Sequence, residues 1–374
     1  MFPKYFLQTK TWSDFWQENN DSPHKVLEFQ LTKLIDKRRI TLRTLVYQYP
    51  WHLGQIFWYI PKGFFLVDEN ENTIDWNCVD VEDLEKMLVE LIGNIQLDAK
   101  KNNIIYIKID FEEELTKWLN FENQTQIVEF LQHYLSYKCI PNTKIIQYLA
   151  TITLDIKSNL ETKNKTLEIN KSESNSQNSS QISSQSLLEF FNSTQTFWKT
   201  TNSNVRRYTK KSLEQNWEIS VEKTESNFEA FWAIYNYTKD KHNFAIQTKE
   251  YCRSLFDKEF SRVIIISRGG APQGVWLGIV IEDTVTYLYG GNTDLSYENY
   301  GQYLIHLVAV NLGTESNCNY YDLGGYDPNK GFGKFKENYK GTIRNFLGPI
   351  DMVINPLKYR FIDSIIKLAK LVKR

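Results

Sequence analysis

Apolar positions along the first 156 residues follow two different spacings. Runs rich in β-branched and aromatic residues, at Arg39 to Tyr47, Gln55 to Ile60, Asn103 to Asp110 and Lys144 to Ile156, read as strands. Between them Val81, Leu84, Met87, Leu88, Leu91 and Ile92 recur at steps of three and four, which predicts a helix over Asp80 to Ile95. Gln124 to Leu135 carries the same spacing. Strands interleaved with helices predict an α+β fold of mixed sheets flanked by helices.

Ser172 to Ser186 breaks this texture, because eight of its fifteen residues are serine and only Ile182 is strongly apolar. Such a stretch buries too little surface to offset its ordering entropy, so an irregular insert is expected there. Beyond it, Leu187, Phe190, Phe191, Thr194, Trp198, Val205, Tyr208 and Ser212 fall at helical spacing, with Asn202-Ser203-Asn204 as a break. Strand signals return at Arg262 to Arg268, Gly274 to Glu282 and Thr284 to Gly290, separated by turns at Gly269-Gly270 and Asp283. A helix from about Tyr297 to Leu312 and a strand into Tyr321-Asp322 complete a block whose order repeats that of the first half.

Composition narrows the functional classes. The 374 residues suffice for two domains, each with its own core. A net charge of −1 gives no global attraction to polyanions, so local basic clusters must carry any nucleic-acid argument. Cys78, Cys139, Cys252 and Cys318 stand far apart without a C-x-x-C pair, which excludes a readable zinc site and points to reduced thiols. The N-terminus lacks the apolar run of a signal peptide, and no segment reaches the ~18 apolar residues of a membrane span. The sequence therefore reads as that of a soluble cytoplasmic protein, expected to be a monomer.

The richest candidate chemistry lies near the end. Tyr321-Asp322-Leu323-Gly324-Gly325 ends a strand in an acid and two glycines. Gly331-Phe332-Gly333-Lys334-Phe335-Lys336 and Tyr339-Lys340-Gly341 follow. This stretch resembles the signature of the Fem family, bacterial transferases that move amino acids from charged tRNA onto peptidoglycan precursors. Weaker matches run in the family's order: Phe6-Leu7-Gln8 with Trp12 to Trp16, Tyr59-Ile60-Pro61-Lys62-Gly63, and Ile107 to Asp110. Arg206 with Lys210 and Asn216, Thr238 to Phe244, and Tyr287 to Asn292 continue the series. Phe64 stands where the family has a second proline, Asp110 lacks its following proline, and Tyr-Lys-Gly replaces Phe-Gly-Gly at 339–341.

The resemblance implies two tandem GNAT-like domains: a first at 1–156, the low-complexity insert at 157–186, and a second at 187–346. The segment 347–374 would cross back to the first. It implies an aminoacyltransferase that uses aminoacyl-tRNA as co-substrate and needs no cofactor or metal. The acceptor would be a muramyl-peptide precursor, lipid-linked or UDP-linked. Lys336 would stabilise the oxyanion, with Phe335 beside it, and Gly324 and Gly325 would let substrate approach the backbone. Lys241 and Arg38 match cations that contact the acceptor diphosphate, and Tyr289 a sugar or uracil contact. Apart from the resemblance, Arg206, Arg207, Lys210 and Lys211 make one basic face if their segment is helical, which reads either as a contact to tRNA phosphates, with Arg206 and Lys210 foremost, or as a solvated charge run.

The residues by themselves leave alternatives open. Lys336 also reads as a solvated loop lysine, Lys37-Arg38-Arg39 as the basic end of a helix, and Tyr289 as a core-strand tyrosine. Asp110 reads as a carboxylate capping a turn, although it could take the attacking amine's proton. The tail Leu357 to Arg374 is a basic amphipathic helix that either docks on the first domain or lies on the inner membrane surface. No phosphate-binding Gly-Lys loop, nucleophile elbow or metal-spaced histidine set is present, nor a convincing acetyl-CoA turn. Two rival functions remain: a GNAT-like acyltransferase using an acyl thioester, and a non-catalytic protein that binds tRNA or wall precursor.

Overall fold

Two stretches of the chain pack as separate units, Met1–Ala150 with Arg344–Arg374, and Thr151–Ile343. The computed structural model describes residues 5–20, 25–135, 137–141, 146–157 and 182–372, with side chains up to 366.

In chain order the elements begin with α1 (Lys10–Glu18), β1 (Val26–Ile35), β2 (Arg38–Pro50), β3 (Ile56–Ile60), β4 (Phe65–Val67) and β5 (Thr73–Ile74). Next come α2 (Val81–Lys101), β6 (Tyr106–Glu112), α3 (Glu113–Trp118), α4 (Gln124–Tyr134) and β7 (Lys138–Pro141). The middle of the chain forms β8 (Ala150–Asp155), α5 (Ser184–Ser193), α6 (Gln195–Thr200), α7 (Ser203–Leu213), β9 (Glu218–Ser220), α8 (Glu225–His242) and α9 (Lys249–Asp257). Then follow β10 (Ser261–Arg268), β11 (Ala271–Ile281), β12 (Thr284–Asn292), α10 (Asp294–Glu298), α11 (Gly301–Glu315) and β13 (Tyr320–Gly325). Last are α12 (Gly331–Glu337), β14 (Thr342–Val353) and α13 (Pro356–Val372).

In the first unit the strands run β5-β4-β2-β3-β6-β14, with β1 on β2 and β7 on β14. All pairs are antiparallel except β3–β6, the step bridged by α2. The Asp80 carboxylate accepts from the Asp83 amide at 2.9 Å to start α2, and Lys100 and Lys101 oppose the dipole at its end. Leu84, Leu88, Leu91 and Ile95 of α2 bury one face against Ile107, Ile109 and Phe111 of β6.

The second unit has the order β8-β13-β12-β11-β10-β9. Its parallel pair, β12–β13, joins only Thr284–Thr286 to Tyr320–Asp322, and α10 and α11 make the crossover. Leu304, Leu307 and Val308 of α11 pack with Ile264, Trp276, Val285 and Tyr321 of the sheet. Each unit is thus a mixed sheet with flanking helices, and each passes from an antiparallel meander through a helix to a parallel strand.

Several local readings change. The strand expected over Lys144 to Ile156 begins at Ala150, with Lys144 outside the described residues. Most of the low-complexity insert, 158–181, lies outside them too. Its end does not: the Ser183 hydroxyl caps α5, whose first turn is Ser184 to Ser186. The helical run after Leu187 is three helices, the last capped by Asn202. Helix α11 begins at Gly301, because Tyr300 takes a left-handed conformation with φ +62° that separates it from α10.

Candidate active site

The site assembles where β12 and β13 part. Beyond Thr286 the next residue of β12 is Tyr287, and beyond Asp322 β13 runs into Leu323-Gly324-Gly325. Gly324 has φ +75°, and a Cβ there would sit 2.5 Å from the Tyr287 carbonyl oxygen, so only glycine fits. Its amide donates to Asp322 Oδ1 at 2.8 Å. The pairing of β13 with β8 is irregular between Asp322 and Gly325, as a bulge requires.

Lys336 enters this split from α12, a two-turn helix rather than the loop that the motif suggests. Only 7% of the residue is exposed. Its ammonium donates to the Gly325 carbonyl at 2.7 Å and stands 5.6 Å from the Tyr287 ring centre and 5.3 Å from that of Phe332. Burial brings its pKa down to about 8, opposed by the negative charge of Asp322. The reading of Lys336 as a solvated lysine is therefore wrong.

Behind Lys336 lies an aromatic layer. His306 of α11 meets the Tyr321 hydroxyl through Nδ1 at 2.6 Å, and its ring is 5.5 Å from Phe335 and 5.3 Å from Tyr339. Burial first, then the charge of Lys336, lowers the His306 pKa to about 3, so it is a neutral ring at physiological pH. Phe335 also contacts Tyr303 at 5.1 Å. Its ring thus anchors α12 to α11 and sets the position of the neighbouring Lys336. His306 went unremarked in the sequence, where an apolar helix gives no hint that it meets the Tyr321 of the motif.

The remaining candidates of this unit are placed apart from Lys336 or tied into structure. Lys241, at the end of α8, forms an ion pair with Asp294, which raises its pKa, and its ammonium lies 5.8 Å from Tyr237 and 5.9 Å from Tyr297. Tyr289 of β12 packs 5.7 Å from Tyr235, and its hydroxyl interacts with Tyr251 and Gln247, with its pKa pushed up by burial. Arg206 of α7 donates to the carbonyls of Trp198 at 3.1 Å and Thr201 at 2.7 Å, closing the end of α6. Lys210, one turn on, is exposed.

Two readings in the first unit are corrected. Lys37-Arg38-Arg39 does not end a helix: Asp36 and Lys37 have φ +47° and +65° and form the tip of the β1–β2 hairpin, with Arg38 exposed at the start of β2. Asp110 does not stand at a strand's end, although its carboxylate accepts from the backbone of Lys62 in the turn after β3. It lies within β6, 2% exposed, and accepts from Tyr59 at 2.5 Å. Burial raises its pKa against the pull of Lys62 and Lys108. On the same face Lys108 pairs with Asp351 at 2.6 Å, and Glu112 with Arg344. No group of three metal-ligating side chains occurs among the described residues.

Comparison with known proteins bears on this geometry. The FemAB family model matches residues 274–367. The match is confined to that region. It contains β12, β13, α11 and α12, and so the whole surroundings of Lys336. The crystal structure of FemX superposes with a TM-score of 0.62 at 13% identity, covering 96% of this chain and 94% of that one. The likeness shows the fold alone, and the α+β class of mixed sheets flanked by helices expected from the sequence is the observed one. Two further structures align more loosely, and nothing rests on them. One is the C-terminal domain of a putative lysylphosphatidylglycerol synthetase from Agrobacterium fabrum, with 8% identity, coverage of 90% and 88%, and a TM-score of 0.46. The other is a tandem GNAT protein from the clavulanic acid pathway, with 8% identity, coverage of 88% and 84%, and a TM-score of 0.45. No curated protein sequence matches the chain.

Proposed function

We propose that this protein is an aminoacyltransferase of peptidoglycan bridge formation, moving an amino acid from aminoacyl-tRNA onto the stem-peptide amine of a muramyl-peptide precursor. One observation carries the reading. A buried ammonium, Lys336, is aimed into the β12–β13 split within the region that matches the FemAB family.

The reaction is aminolysis of an ester. The neutral amine attacks the aminoacyl carbonyl, a C–N bond forms, and a tetrahedral oxyanion appears. Collapse breaks the bond to the tRNA 3′ oxygen, which leaves with the proton given up by nitrogen. The ester is already activated, so the protein has to orient two large substrates and stabilise the oxyanion. An ammonium has three N–H donors, and Gly325 takes one. The others can point at the oxyanion. Water is scarce around a lysine buried between Tyr287 and Phe332, so the charge acts in a low dielectric where it counts for more. Phe335 and His306 hold the helix that carries it.

Lys241 and Arg38 are proposed contacts to an acceptor diphosphate, and both are exposed cations suited to that task. Lys210 is a proposed contact to tRNA phosphate. Arg206 supports it as a capping residue rather than as a direct contact.

The test is transfer of a labelled amino acid from a mixed pool of charged tRNAs onto muramyl pentapeptide, supplied in lipid-linked and UDP-linked form. Label on either acceptor supports the reading. Label on neither, with acyl transfer from a thioester instead, would replace it.

A further inference from the structure

Among the described residues, the two most exposed large apolar side chains of the α-helices belong to α13. Leu357 is 81% exposed and Phe361 62%, one turn apart on the same face. The tail was expected to gather its apolar residues on one face, yet the helix has two. Ile362 is 2% exposed and packs with Phe57, Tyr59, Ile105 and Tyr106, joined by Tyr359 and Ile366. Docking on the first unit therefore consumes one face and leaves Leu357 and Phe361 outside.

A second exposed apolar tip is carried by a loop held against the same helix. Leu53, in the short loop between β2 and β3, is 66% exposed and holds a left-handed backbone at φ +57°. That conformation costs a leucine roughly 1–2 kcal/mol. Two residues before it, Trp51 packs on Tyr359 of α13 at 5.9 Å and on Tyr106 at 4.9 Å. The loop that presents Leu53 is thereby fastened to the helix turn that presents Leu357 and Phe361.

Charge says what covers the open face of α13. Lys358 and Arg360, flanking the apolar pair, are exposed. Helix α13 carries Lys358, Arg360, Lys367 and Lys370 against one acid, Asp363, and Lys373 and Arg374 follow it. Exposed leucine and phenylalanine with interleaved cations suit the headgroup region of an anionic bilayer, where apolar tips enter and ammonium groups meet phosphate. No helix among the described residues is long and apolar enough to cross a membrane.

We propose that the open face of α13 forms a docking surface for an anionic lipid bilayer, holding the protein at the membrane face without spanning it. This goes beyond the transferase reading and stands without it. Where that reading holds, the surface favours the lipid-linked acceptor over the UDP-linked one.

The test is co-sedimentation of the full chain with phosphatidylcholine vesicles, with and without phosphatidylglycerol. Wild type is expected to bind only the anionic vesicles, and less as salt rises. The Leu357→Ser/Phe361→Ser double variant should lose on the order of ten- to hundred-fold in partition. Lys358→Gln and Arg360→Gln should lose about five-fold each. All four side chains are outside the core, so unchanged thermal melts should accompany these losses. Wild type that ignores anionic vesicles, or a serine double variant that binds as well as wild type, overturns the proposal. So does wild-type self-association that the double variant abolishes, because the occupant is then a second copy of the chain. Failure of the transferase reading would show separately, as absence of transfer to both the lipid-linked and the UDP-linked acceptor.

Discussion

The ammonium of Lys336 reaches across from α12 to the carbonyl of Gly325 at the end of β13, 2.7 Å away. That contact joins the two halves of the Gly-Gly and Phe-Lys motif, which the sequence separates by eleven positions. It fixes the charge at the point where β12 and β13 part, the location on which the proposed chemistry depends.

The pKa of Lys336, brought to about 8 by burial, predicts the pH profile of transfer. The ammonium that meets the oxyanion is lost as pH rises through 8, so the single-turnover rate should fall above that value. The rising limb at lower pH belongs to the acceptor amine, which must be neutral to attack. Lys336→Arg keeps the charge at all these pH values and should remove the falling limb. Because the folded pKa lies below the ordinary value of 10.5, the unfolded chain binds more protons between the two. This group alone therefore makes the fold more stable as pH climbs from about 8 to 10.5, while activity declines. A wild-type profile that Lys336→Arg leaves unchanged would remove the ionisation of Lys336 from the reaction.

Gly324→Ala should destabilise the second unit by about 1–3 kcal/mol, from left-handed backbone strain and a clash with the Tyr287 carbonyl. Urea denaturation measures it. The same change displaces Tyr287 or β13, so transfer should drop more than stability alone explains.

Arg206 and Lys210 should separate cleanly. Arg206→Ala removes the cap on α6 and should cost about 1–3 kcal/mol in a urea melt. Lys210→Ala should leave stability within ~0.5 kcal/mol but weaken tRNA binding and flatten its salt dependence. Equal effects of the two on binding, with no effect of either on stability, would contradict the capping role.

Asp351→Asn in the first unit leaves Lys108 as a buried cation without its charge partner. A loss of about 3–5 kcal/mol is expected. Replacing both residues, Lys108→Met with Asp351→Leu, should recover much of it, as read by thermal or urea unfolding.

How much of this was legible in the sequence depended on the range of the interaction. Helix α2 shows in the spacing of Leu84, Leu88 and Leu91 and in the Asp80 cap, because both signals lie within a few residues of each other. The strict alternation of Leu27, Phe29 and Leu31 with Glu28, Gln30 and Thr32 is an equally local strand signal, and β1 could have been read from it. The hairpin behind it was hidden because Asp36-Lys37 lacks the glycine or asparagine that usually marks such a turn. Lys336 was found through its motif, not its surroundings. Nothing near it in sequence tells that Tyr287 and His306, contributed by β12 and α11, enclose it. The Lys108–Asp351 pair, 243 residues apart, has no sequence signal at all. The α13 helix was visible as apolar and basic, but the division of its apolar residues between a docked and an open face required the packing of Ile362.

The central claim is that Lys336 stabilises the transition state of aminoacyl transfer. Single-turnover transfer from charged tRNA to muramyl pentapeptide, wild type beside Lys336→Ala, tests it directly. The account predicts a loss of about 10²–10³ in the rate constant, with unchanged affinity for both substrates and an unchanged fold. Transfer by the variant at the wild-type rate would contradict it.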